Sequence, residues 1–164
     1  MTKASQHQDV SALSAAKHGL VYLTTNDWAL IADKAVRMQF KAGQQLVQRG
    51  KRTHGVYLIL KGTVSVQIPS QGTSVGISAG GVCGEISFLD ELPAAANVVA
   101  KEDVEAYYLD RATLHSMFEL FPHLGSRFYH SLAVILSRRL REQIDPVAPP
   151  QERLDLKTKD KIKD

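Results

Sequence analysis

Cysteine is nearly absent. Cys83 is the single example among 164 residues. An internal disulfide is therefore excluded, and with it any fold stapled by cross-links. The lone thiol suits a reducing compartment or one where redox does not matter. Long apolar runs are missing as well. None approaches the roughly 18 residues needed to span a bilayer. Met1 to Asp9 is polar and carries no apolar signal segment, so a cytoplasmic location is expected. Charge of one sign is scarce. Twenty Lys and Arg against 17 Asp and Glu leave +3, which permits an acidic partner without arguing for one. Six histidines, His7, His18, His54, His115, His123 and His130, have no metal-ligand spacing with Cys83 or the carboxylates, so no metal is expected. There is no Ser/His/Asp order and no Walker-type glycine loop. Asp90 and Glu91 beside Glu85 read as an exposed lip rather than an acid/base pair. No catalytic residue is assigned, and an enzyme is not expected.

What is present suffices for one packed core, with 44% hydrophobic residues. Residues 1–19 read as a polar tail with a short helix at Ser11 to Lys17, stopped by Gly19. Thr25 then precedes a helical run to about Met38, in which Trp28, Leu30, Ile31 and Val36 form the apolar face. Trp28 reads as a packing anchor. From Gln39 the period changes to that of strands. Short β-prone runs follow around Leu46–Val47, Gly55–Leu60, Thr63–Ile68 and Thr73–Ser78, with a last one at Val104–Leu109. Gly-containing turns separate them. Many short strands at even spacing predict a small sandwich or barrel. Helix returns after Asp110, and Pro122 starts a second segment. On it, Leu124, Phe128, Leu132, Ile135, Leu136 and Leu140 form a stripe suited to core packing or to a partner. Residues 20–144 are thus the expected domain. Residues 145–164, beginning with Asp145-Pro146-Val147-Ala148-Pro149-Pro150, read as a stiff linker and a disordered charged tail.

The most informative stretch is Gly81 to Ala100. A glycine turn at Gly84 leads into Glu85 and a short apolar segment, Ile86 to Leu89, that can make one or two helical turns. Free N–H groups at such a start favour an anion. Glu85 is poorly placed for phosphate but well placed to accept from sugar hydroxyls. These residues read either as a pocket for a phosphorylated sugar or nucleotide, or as a plain Gly-Glu turn between strands.

Three segments together resemble the cyclic nucleotide-binding domain family, which includes catabolite activator proteins and protein kinase A regulatory subunits. They are Val47 to Gly50 with Gly55 to Val66, then Gly84-Glu85-Ile86-Ser87-Phe88-Leu89, and the helix Pro122 to Arg141. The resemblance implies an eight-stranded jelly-roll β-barrel, mainly β, with flanking helices. It implies cAMP or cGMP as ligand and a regulatory, sensory role as a stand-alone module. Glu85 would accept the ribose 2′-hydroxyl, and Gly84 would let the chain approach the ring. Backbone N–H groups of Ile86, Ser87 and Ala95 would face the cyclic phosphate. The family's phosphate-binding cassette closes on an arginine. Here Pro93-Ala94-Ala95-Ala96 stands in its place, with Ala94 at the arginine position. A charge-assisted hydrogen bond is worth about 1.5–3 kcal/mol, so its loss weakens phosphate binding roughly 10- to 150-fold. Arg49, Lys51, Arg52 and Lys101 are near only along the sequence. The alternative is the same fold without cyclic nucleotide binding, acting as a protein-interaction domain or sensing another small molecule. The helix Pro122–Arg141 is the expected contact for a homodimer or protein partner. The residues after Arg141 are Pro-rich and charged, so direct DNA binding is not expected.

Overall fold

The computed structural model describes residues 19–145. The expected helix at Ser11–Lys17 and the charged tail lie outside them.

Helix α1 runs from Thr25 to Lys34. Thr24 caps it: its hydroxyl accepts from the Asp27 N–H, and the Asp27 carboxylate accepts from the Thr24 N–H. Trp28 and Ile31 are buried, as an anchor should be. The helix ends at Lys34, four residues short of the expected Met38, with Ala35 as its C-cap. Val36–Phe40 is instead strand β1, paired antiparallel and residue for residue with Val104–Tyr108. Val36 had seemed part of the helical face, yet it is 58% exposed. A ladder of backbone hydrogen bonds to a distant strand outweighs one apolar match to a helical period.

The remaining strands are β2 (Gln45–Val47), β3 (Gly55–Lys61), β4 (Val64–Ile68), β5 (Thr73–Ile77), β6 (Val82–Cys83), β7 (Asn97–Ala100) and β8 (Val104–Asp110). They form two four-stranded antiparallel sheets, ordered β1-β8-β3-β6 and β2-β7-β4-β5. The eight expected strands are there, but the ladders join them within two sheets. The jelly roll is thus a sandwich rather than a closed ring. Leu46, Val47, Ile59, Val64, Val98, Val104 and Ala106 form its core with Cys83 and Ala94. Cys83 is a small apolar filler there, 2% exposed.

Three more helices complete the chain: α2 (Glu85–Asp90), α3 (Arg111–Leu120) and α4 (Pro122–Ile144). Asp110 caps α3 by accepting from the Thr113 N–H at 2.9 Å. The chain divides into two compact units after Leu132, inside α4. In the first unit Leu124, Phe128 and Leu132 are buried, so this part of the expected stripe is core. In the second, Leu140 and Ile144 are exposed.

Candidate functional site

Strand β6 delivers the chain to Gly84, whose φ of +84° is left-handed. A Cβ at this position would lie 2.8 Å from the Gly55 carbonyl oxygen on β3. Both facts demand glycine. The turn lets α2 start directly over the end of β3, and the Gly84 carbonyl accepts from the Phe88 N–H at 3.1 Å. Glu85 is only 3% exposed. Ser87 is buried beside it, while Ile86 faces solvent. Asp90 and Glu91 are exposed, as a lip would be. Ala94 is buried, packed into the same apolar core as Cys83, and Ala95 is exposed. The structure therefore places Gly84, Glu85, Ser87 and Ala94 inward and Ile86 and Ala95 outward.

Strand β3 supplies Tyr57, opposite Cys83 in the β3–β6 ladder. Burial pushes its phenol up to about 12, so it remains a neutral hydroxyl. Its ring lies 4.9 Å from that of Tyr108. A surface cleft of about 450 Å³ also exists in the first unit, but Gln39, Phe40, Lys41, Lys61, Asp103, Val104 and Glu105 line it. None of the expected site residues contributes to it.

Two features escaped the sequence reading. The first is Arg111, which opens α3. Its Nη2 donates to the Ser87 carbonyl at 2.8 Å and its Nη1 to Glu91 Oε1 at 2.9 Å. Its guanidinium also lies 5.2 Å from the centre of the Phe88 ring. The Ser87 carbonyl also accepts from the Glu91 N–H, so Arg111 adds a second, charged donor at the C-terminal end of α2, where the helix dipole favours a cation. The second is the link between α2 and α4. The Phe88 ring meets Phe128 edge-on at 6.0 Å and stacks on Tyr129 at 6.0 Å. Phe118 of α3 packs on Phe128 at 5.2 Å. Phe88 of α2 and Phe118 of α3 thus pack directly on Phe128 and Tyr129 of α4.

The structure also places residues that the sequence left unassigned. The Gly50 N–H donates to the Ala94 carbonyl at 2.8 Å, and the Ala94 N–H donates to the Lys51 carbonyl at 2.9 Å. The Arg49 N–H donates to Asn97 Oδ1 at 2.8 Å. The basic turn after β2 thus lies against the end of the cassette. Lys101 sits elsewhere, its N–H bonded to the Thr63 carbonyl.

The profile described as cyclic nucleotide-binding domain matches residues 37–120, half of the chain. The chain belongs to the cyclic nucleotide-binding domain family. That match runs from β1 through α3 and so contains every residue of the candidate site. A solved cyclic nucleotide-binding domain from Methylobacillus flagellatus superposes with a TM-score of 0.69 at 26% identity, covering 76% of this chain and 72% of that one. Cyclic GMP-binding protein C of Dictyostelium discoideum is 27% identical over 123 residues, which is 73% of this chain and 5% of that protein. Lysophospholipase NTE1 of Saccharomyces cerevisiae is 28% identical over 129 residues, 62% of this chain and 8% of that protein. The chain thus spans less than a tenth of the length of these two curated relatives. No helix among the described residues is long and apolar enough to cross a membrane.

Proposed function

We propose that this domain binds a cyclic nucleotide, cAMP or cGMP, and serves as a regulatory module rather than a catalyst. The observation that carries the reading is the Gly84–Glu85 pair. The Glu85 carboxylate, 3% exposed at the start of α2, is an acceptor of the kind that sugar hydroxyls bind, held in a fixed place by its burial. The left-handed turn at Gly84 sets that place by letting α2 start against β3. The output runs through Phe88. A ligand that binds one position of α2 more tightly than another shifts the packing of Phe88 on Phe128 and Tyr129, and with it the start of α4. The similarity to a cyclic GMP-binding protein supports the ligand class.

Calorimetry with cAMP and cGMP tests the reading. The expected result is a dissociation constant below about 10 μM, lost in Glu85→Ala. No heat and no thermal shift at millimolar ligand would sink it.

A second reading has one observation in its favour. Ala94, at the position of the family's arginine, is buried among apolar side chains. A pocket without that cation suits an uncharged small molecule, or no ligand, with the domain serving protein contact. Nucleosides that bind as tightly as cyclic nucleotides would favour it.

A further inference from the structure

We infer that the basic turn Arg49–Arg52, in place of the cassette, supplies the positive charge that meets the ligand's cyclic phosphate. The inference rests on the cyclic nucleotide reading above and goes beyond it by naming the residues that recognise the anion. Three observations carry it.

The first is position. The turn is closed by the Lys51 N–H donating to the Gln48 carbonyl at 3.1 Å. Gly50, with φ of +79°, occupies its third position, where a left-handed residue is required. The turn is then laced to Ala94 by the two backbone bonds with Gly50 and Lys51, and to Asn97 by the Arg49 N–H. Two of those three bonds run to Ala94, the residue where the family's arginine is replaced. The cation missing from Ala94 is thus matched by cations in the segment hydrogen-bonded to it.

The second is charge that is not already spent. Arg49, Lys51 and Arg52 are all exposed. None of the three side chains enters an ion pair among the described residues. The acids at the cassette lip are engaged elsewhere. Glu91 pairs with Arg111, and Asp90 accepts from the Leu92 N–H. The third is a donor in the same loop: Thr53 Oγ1 is buried and has no hydrogen-bond partner among the described residues. A buried hydroxyl in that state gains from a ligand oxygen.

Exposed cations act through a screened field, so the effect depends on salt as well as on residue identity. The test compares the full chain with an Arg49→Gln/Lys51→Gln/Arg52→Gln triple variant. Calorimetry is run with cAMP, cGMP, adenosine and guanosine, at about 50 mM and about 300 mM salt, which changes the screening length roughly twofold. The lacing bonds are backbone bonds and the three side chains are exposed, so the variant folds; an unchanged thermal midpoint checks this. The expected result is at least a tenfold loss of cyclic nucleotide affinity, a flatter salt dependence and unchanged nucleoside affinity. A triple variant that binds cyclic nucleotide like wild type overturns the inference and leaves the Glu85 reading standing. Equal affinity of wild type for nucleoside and cyclic nucleotide also overturns it, because the phosphate is then not read. If wild type binds none of the four ligands, the inference falls together with the reading on which it rests.

Discussion

Glu91 shows how a single residue holds the cassette. It follows α2 with φ of +62°, the one non-glycine in the left-handed region among the described residues. Its N–H closes the helix on the Ser87 carbonyl at 3.0 Å. A left-handed non-glycine residue costs about 1–2 kcal/mol. The carboxylate offers a partial return, since it pairs with Arg111 at 2.9 Å with most of its surface exposed. Such pairs contribute about 0–1 kcal/mol. The strain is the larger effect. Glu91→Gly is therefore expected to leave the fold equally or more stable in urea denaturation. Glu91→Ala keeps the strain, loses the pair and is expected to be destabilised by up to about 1 kcal/mol. A Glu91→Gly protein less stable than wild type would show that the ion pair outweighs the strain. Gly84 and Glu85 were legible in the sequence because their chemistry is local: a glycine, a carboxylate and a short apolar run in succession. Arg111 was not. Its partners lie 20 and 24 residues upstream, and an arginine beside a helix cap looks like ordinary surface charge.

At the scale of elements, helix starts were legible to within a residue, whereas the end of α1 was not. Caps are local side-chain bonds, as at Asp110 and at Thr24, one residue before the Thr25 that marked the start in the sequence. The end of α1 is decided by β8, about 70 residues away, which claims Val36–Phe40 as a strand. The stripe on α4 divided for a similar reason. Its period is helical throughout, but only packing partners decide which part is core. Element pairing also sets the response to acid. Arg127 holds Asp27 with two hydrogen bonds, Nε to Oδ2 at 2.6 Å and Nη2 to Oδ1 at 2.8 Å, and so ties α1 to the start of α4. That hydrogen bonding lowers the Asp27 carboxyl below its ordinary value of 3.8, against the opposing effect of burial. A carboxyl lowered on folding contributes stability above its unfolded value and loses it as pH falls through the folded value. Stability should hold through neutral pH and decline below about pH 4. Asp27→Asn should be less stable at pH 7 and fall less steeply on acidification. Chemical denaturation from pH 7 to pH 2.5 reads both. Parallel acid limbs in the two proteins would remove Asp27 from the account.

For the molecule as a whole, alternation and turns made most of the strands legible and the count of eight came from the family resemblance, whereas their order in two sheets was not legible. Alternation reports which face is wet, and pairing depends on contacts far apart in sequence, such as β1 with β8. The same limit applied to assembly. The stripe on the helix Pro122–Arg141, which includes Phe128, reads in sequence equally as core or as partner contact. Phe128 is fully buried against Phe88 and Phe118, so changing it would test folding and not association. What α4 offers to a second copy lies further on. Leu140 and Ile144, four residues apart on one helical face, are 57% and 73% exposed. With Ser137, Arg141 and Asp145 they line a shallow hollow of about 480 Å³. Arg141 and Asp145 carry opposite charges on the same hollow. The prediction to test is that this face joins two copies of the chain. Sedimentation equilibrium should show a dimer for the full chain and a monomer for Leu140→Glu, with the thermal midpoint at low concentration unchanged. A wild-type monomer at 100 μM, a concentration at which a contact worth about 5.5 kcal/mol is half formed, would exclude this face as a dimer contact.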